Sequence, residues 1–166
     1  RGTGAKKFPY AELFRELTIE FRPPKLHSPG TMCNLTSHEL IASFDSIALR
    51  IENYLRMCAY AAFLLKHTKP MLEIPGTCRA LEVLLSRLTV ETEPDFPVAA
   101  AKLMFLQESG FVPEAMGTGG FRREQILDSL LEYAVNPECP APDLTEEYRR
   151  KLIRWINELC DYHDLH

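Results

Sequence analysis

No apolar run in this chain approaches the roughly 18 residues that span a bilayer, so a membrane-crossing helix is not expected. A secretory leader pattern is also missing from the start. The first residue is Arg rather than Met, which suits a sequence that begins inside a longer protein or lacks a disordered or processed start. Paired cysteines are lacking. Cys33, Cys58, Cys78, Cys139 and Cys160 are odd in number and widely spaced, which excludes a dense disulfide framework. They suit reduced, mostly buried thiols, and the expected location is cytoplasmic. An overall positive charge is lacking too. The formal net charge is −4, so any nucleic-acid contact must come from a local cluster of cations.

Motifs that announce catalysis are equally scarce. The histidines His27, His38, His67, His163 and His166 stand in no Cys–His or Ser–His arrangement, and a nucleophile needs both a base and an orienting group. Glu146-Glu147 lies at a helix start, where acids favour the helix dipole. Gly117-Thr118-Gly119-Gly120 precedes a helix but lacks the Gly-Lys-Ser/Thr ending of a phosphate loop, and reads as a linker. Cys160, His163 and His166 follow one another at three-residue steps, with Cys139 as a fourth ligand in principle. Zinc sites commonly include a close cysteine pair, and none is present. The tail is read as a frayed polar C-terminus. The expectation is a protein with no catalytic residues, no metal and no cofactor.

What is present is a foldable composition. Apolar residues make up 46% and charged residues 25%, enough to bury a core in a chain of 166 residues. Leu17, Ile19 and Phe21 alternate with Thr18, Glu20 and Arg22, a half-buried strand pattern within residues 12–22. Arg22-Pro23-Pro24 and Ser28-Pro29-Gly30 are turn signals, and residues 31–35 are expected to return as a second strand. Thr36-Ser37-His38-Glu39 has the spacing of a capping box. From about residue 44 the period lengthens: Ile47, Ile51, Tyr54/Leu55, Cys58, Ala62 and Leu65 are expected to form the inner face of a long helix. Its apolar second half, Ala59 to Leu65, is expected to be central and buried, with Pro70 as the stop.

Further helices are expected over residues 77–90, from Pro97 to Ser109 with Gly110 as terminator, over 121–135, and after a Thr145 cap. Leu81, Leu84, Leu85 and Leu88 should face inward on the first of these. Tyr148, Leu152, Trp155/Ile156 and Leu159 should do so on the last. The expected fold is mainly α, with a short β segment over residues 1–38 and a helical domain over 39–166.

The first 25 residues hold six cations, Arg1, Lys6, Lys7, Arg15, Arg22 and Lys25, against three acids, Glu12, Glu16 and Glu20. Lys and Arg beside a sheet can neutralise phosphates, and Phe8, Tyr10, Phe14 and Phe21 are placed among them to stack bases. The plainer reading is a solvated basic face with core aromatics.

The order of segments resembles the RecO family of bacterial recombination mediators. Arg1-Gly2 through Lys6-Lys7 and Ala11–Thr18 look like that family's basic stretch and its "LLQPFT" strand. Leu35–Phe44 looks like "LTSAELLESF". Ile51–Tyr54 and Ala59–Leu65 look like "DLE" and "AAYLLEL". Leu103–Glu114 is similar to "LLALLGYAPE", and Tyr162-His163 is similar to a late "YH". The likeness covers most of the chain in order, although each motif is mostly apolar patterning.

The resemblance implies part of an N-terminal OB-fold followed by a helical domain, with no catalysis. It implies DNA as ligand (single-stranded, and double-stranded as a second form), strand annealing, RecR and the single-stranded-DNA-binding protein as partners, and assistance to RecA loading. The DNA-binding residues would be Arg1, Lys6, Lys7, Arg15, Arg22 and Lys25. The partner's acidic tail would be received at Lys102, Leu103 and Leu106.

Three departures stand beside it. The likeness begins part-way through the OB-fold. Glu114-Ala115-Met116-Gly117 follows where many members carry a four-cysteine zinc site. Lys102 is the only cation in Val98–Lys102. The competing readings are a helical interaction domain, holding a partner helix in a groove between the long helix and the final one, and a hydrolase or metalloprotein built on Cys160 and His163.

Overall fold

The computed structural model describes residues 13–22, 34–69, 72–113 and 120–165, with the side chains of 34 and 120–123 set aside. The chain divides into two units at Asp45/Ser46. The expected boundary at 38/39 is therefore too early. The cause is the second strand, which is longer and later than the turn signals suggested.

In the first unit, β1 (Arg15–Arg22) pairs antiparallel with β2 (Asn34–Ser43). Arg15 lies opposite Ser43 and Arg22 opposite Asn34, with register shifts between Glu16/Leu17 and Glu20/Phe21. Shifts of this kind bend and twist a ribbon locally. The capping-box residues fall inside β2 and cap no helix. The Thr36 hydroxyl donates to the Glu20 carbonyl at 3.1 Å, and the Ser37 hydroxyl to the Glu20 carboxylate at 2.5 Å. Cross-strand partners have taken the groups that a helix start would have used. Phe14, at φ 60°, turns the chain into β1, and its carbonyl accepts from the Phe44 N–H at 2.9 Å. Leu17 is half-buried as expected, but Ile19 and Phe21 are exposed.

The second unit begins with a 3-10 turn, Asp45–Leu49, at the boundary. Then follow α1 (Ile51–His67), α2 (Pro75–Leu88), α3 (Asp95–Glu108), α4 (Gly120–Val135) and α5 (Glu146–Tyr162). Pro75 opens α2 at a position where its missing N–H costs nothing. Pro97 sits in the first turn of α3, within the four residues whose N–H groups lack intrahelical acceptors. Gly110, at φ 71°, closes α3: its N–H reaches the Gln107 carbonyl at 3.1 Å and the Phe111 N–H reaches Leu106 at 2.8 Å. Thr145 caps α5 as expected, accepting from the Tyr148 N–H at 3.3 Å.

The central helix is α3, which packs against α1, α2, α4 and α5. Phe96 to Ala101, Leu103, Phe105 and Leu106 are all buried. Ala99-Ala100-Ala101 lets neighbouring backbones approach closely. Phe63 meets Phe105 edge-on at 5.1 Å, and Phe96 lies 5.7 Å from Tyr133.

Two expectations about α1 are corrected. Its second half is not central, and its inner face is Asn53, Met57, Tyr60 and Phe63 rather than Ile51, Leu55, Cys58, Ala62 and Leu65. Only Ile47, in the preceding turn, is buried as expected. The helix is apolar on two faces, so periodicity could not say which one the core takes. On α2, Leu84 and Leu88 are buried while Leu81 and Leu85 are half-buried. On α5, Leu152, Ile156 and Leu159 are buried and Tyr148 is exposed.

Candidate functional site

Three helices of the second unit enclose a cleft of about 390 Å³. α1 contributes Arg56, Tyr60 and Phe63, α3 contributes Asp95, Val98, Ala99 and Lys102, and α5 contributes Ile153, Asn157, Cys160 and Asp161. The helix periods explain the lining. Arg56, Tyr60 and Phe63 lie three or four residues apart, as do Asp95, Val98/Ala99 and Lys102, so each helix presents one row to the cleft. Its floor is apolar and its rim is charged.

On the rim, the Arg56 guanidinium pairs with Asp95 at 2.6 Å, both side chains about half exposed. The Lys102 ammonium donates to the Asn157 side-chain carbonyl at 3.2 Å and lies 5.6 Å from the centre of the Phe63 ring. Tyr60 is buried and donates its hydroxyl to the Ala101 carbonyl at 3.2 Å. Burial, with Cys78 and Glu108 nearby, pushes the Tyr60 phenol far above its ordinary range. Burial also pushes the Cys160 thiol up; Lys102 opposes that shift and Asp161 adds to it. Cys160 is thus held as a thiol at neutral pH, and thiols are poor nucleophiles.

Of the three residues expected to receive a partner, only Lys102 reaches this surface. Leu103 and Leu106 are 1% and 0% exposed and belong to the core under α3. A partner could touch them only if the helix opened. Arg56 was missed by sequence reasoning: it lies far from Lys102 in the chain, and only the packing of α1 on α3 brings both to one rim.

Cys160 and His163 do not form a reactive or ligating pair. Cys160 is buried, and His163 stacks on Phe111 with ring centres 4.4 Å apart. Among the described residues, no three His, Cys, Asp or Glu side chains are grouped to hold a metal. Likewise, no described helix is long and apolar enough to cross a membrane.

On the ribbon, Arg15 and Arg22 sit at opposite ends of β1, about 23 Å apart for seven strand steps. Arg15 approaches Asp45 at 3.4 Å, whereas Arg22 is exposed beside exposed Phe21. Ile19, Leu35, Leu40 and Ile41 are exposed on the same two strands. Arg1, Lys6, Lys7 and Lys25, and the aromatics Phe8 and Tyr10, lie outside the described residues. The two described cations are not gathered into one patch.

No family model matches this chain, and neither the curated proteins nor the solved structures contain a significant match.

Proposed function

We propose that the chain is a non-enzymatic DNA-binding accessory factor of recombinational repair, of the RecO type. The observation that carries this reading is the exposed Phe21–Arg22 pair on a small, separate β ribbon. The exposed ring offers stacking for an unpaired base, and Arg22, the next strand residue and so directed to the other face, offers charge for the backbone phosphates of the same strand of nucleic acid. A two-stranded ribbon with Ile19, Phe21, Leu35, Leu40 and Ile41 uncovered is marginal on its own. Membership of a larger barrel would use both its edges and its apolar surface.

In this reading the helical unit is the docking part. Lys102 stands on the rim above the apolar floor of the α1–α3–α5 cleft, with Arg56 held by Asp95 and Asp161 also on the lining, and in this reading it is the cation that meets the acidic tail of the single-stranded-DNA-binding protein. RecR and, indirectly, RecA are the remaining partners that the resemblance implies.

Binding of the chain to a labelled single-stranded oligonucleotide, measured by anisotropy across a salt series, tests this. Affinity should fall linearly on a log–log plot, by about 0.7 per phosphate contacted. Phe21→Ala should weaken binding by about 1–3 kcal/mol, and Arg22→Ala should reduce the salt slope. Absence of binding at low salt, or binding indifferent to salt, would remove the proposal.

The cleft itself favours a second reading, a helical interaction domain without DNA binding. It lies between the long helix and the last one, where a partner helix was expected to dock. Under this reading Lys102→Glu abolishes partner capture while Arg22→Ala changes nothing.

A further inference from the structure

The chain turns back into the α1–α3–α5 cleft after α5. The helix ends at Tyr162, the Leu165 N–H reaches the Cys160 carbonyl at 2.8 Å, and the Asp164 N–H reaches that of Asp161 at 3.1 Å. These two bonds are the Schellman pattern, in which the residue after the left-handed position packs its side chain back on the last helical turn. That residue is Leu165. It is half-buried and lines the cleft together with Cys160 and Asp161. Cys160, although on the lining, is only 3% exposed.

Two features make this turn the weak part of the cleft wall. Asp164 stands at φ 56°, where a side chain is strained relative to glycine. His163, one residue earlier, stacks on Phe111 with ring centres 4.4 Å apart and so stays with the helix. The movable piece therefore begins at Asp164, and what it carries into the cleft is Leu165. Every other lining residue sits on α1, α3 or α5 and moves only with its helix.

We propose that the turn is a stopper for the cleft, held in by Leu165 and swung out when a partner segment enters. It rests on the reading of the cleft as the seat of an acidic segment with apolar side chains. The closed turn answers the cleft with the chemistry of that ligand. Leu165 supplies the aliphatic side chain, and Asp161, at the root of the turn, supplies a carboxylate on the lining that also holds Lys102. Lys102 and Asp161 act on the Cys160 thiol with opposite sign, so cation and acid both lie close to this end of the cleft. An incoming segment finds the end taken, and its affinity is reduced to the fraction of molecules whose turn is open.

The rate at which a maleimide labels Cys160 in the full chain, read by mass spectrometry with exposed Cys78 as internal reference, tests the stopper without a ligand. Leu165→Ala should speed the reaction about tenfold, as expected when part of a leucine side chain's apolar cover is removed. Asp164→Gly should slow it about two- to fivefold, because glycine relieves the strain of the closed turn. Thr145→Ala removes the cap at the other end of α5 and lowers the stability of the whole unit, yet should leave the Cys160 rate unchanged. A rate that follows Thr145→Ala, or that ignores both turn variants, would overturn the stopper, since Cys160 would then be reached by unfolding of the whole unit or by another route. Binding of a labelled peptide of four aspartates followed by two leucines gives the second measurement. Leu165→Ala should bind it about tenfold more tightly and Asp164→Gly about two- to fivefold more weakly. Equal binding by all three chains overturns the stopper and leaves the docking reading standing. Binding by none, with the Cys160 rates as expected, overturns the docking reading and the stopper's role with it.

Discussion

Asn53 is buried on α1 and donates both of its amide hydrogens across the packing interface, to the Leu88 carbonyl at 2.8 Å and to the Glu91 carbonyl at 2.9 Å. It satisfies the C-terminal end of α2, where the last carbonyls have no intrahelical donor. Asn53→Ala should cost about 1–3 kcal/mol, because those acceptors lose their donor in a buried place; urea denaturation would measure it. Tyr60 makes a similar bond to Ala101, and Tyr60→Phe should cost about 1 kcal/mol.

Tyr60 also sets a pH dependence. Its pKa, like those of Tyr133 and Cys160, is raised in the folded state, mainly by burial. Raised values favour the protonated form in the native protein. Their contribution is therefore fully present below the ordinary values, about 8.5 for Cys and about 10 for Tyr, and is lost as pH rises through the shifted ones. The melting temperature should fall above pH 10, and Tyr60→Phe should make that fall shallower. Cys160 should react with a maleimide far more slowly than exposed Cys78, as mass spectrometry of labelled peptides would record.

At the scale of elements, the start of α2 is capped by a residue from another helix. Ile74 offers no side-chain cap. Instead the Glu108 carboxylate on α3 accepts from the Gly76 N–H at 2.8 Å, and from the Thr77 N–H and hydroxyl, both at 2.6 Å. A carboxylate at a helix N-terminus also complements the dipole. Gly76 leaves room for this approach: a Cβ there would lie 2.9 Å from the Met104 sulfur and 3.0 Å from the Glu108 carboxylate, so both side-chain ends would have to shift to accommodate it. Glu108→Ala should cost about 1–2 kcal/mol and speed amide exchange in the first turn of α2.

The end of α5 has the same closing hydrogen bonds as α3, from Leu165 to Cys160 at 2.8 Å and from Asp164 to Asp161 at 3.1 Å. Here the residue at positive φ, 56°, is Asp164 rather than glycine. Asp164→Gly should stabilise the chain by about 0.5–1 kcal/mol, seen as a rise in melting temperature. Thr145 and Gly110 announced their roles in the sequence because a cap acts within a few residues. Glu108 could not, because the helix start it serves lies 32 residues earlier in the chain.

On the scale of the whole molecule, the helical unit holds a core of its own around α3. A fragment of residues 46–166 should melt cooperatively with its helical signal retained, as circular dichroism would show. Arg87 contributes from within that unit: its guanidinium donates to the carbonyls of Tyr133, Asn136 and Cys139 at 3.1, 2.9 and 2.8 Å and lies 3.8 Å from the centre of the Tyr133 ring. It anchors the end of α4 and the loop towards α5, a role that no local pattern around Arg87 reveals.

Local chemistry was sufficient to place the helical class, the strand at Leu17–Phe21, the caps at Thr145 and Gly110, and the approximate ends of α2 to α5. Each depends on side chains within a turn or two of one another. Packing alone decided which face of α1 meets the core, that Leu103 and Leu106 are interior, that Thr36 and Ser37 serve a strand, and that Arg56 joins Lys102 on one rim. The physical reason is distance along the chain. Periodicity names faces that are able to be buried, but a helix apolar on two sides takes its inner face from whichever neighbour fits it, and that neighbour is specified elsewhere in the sequence.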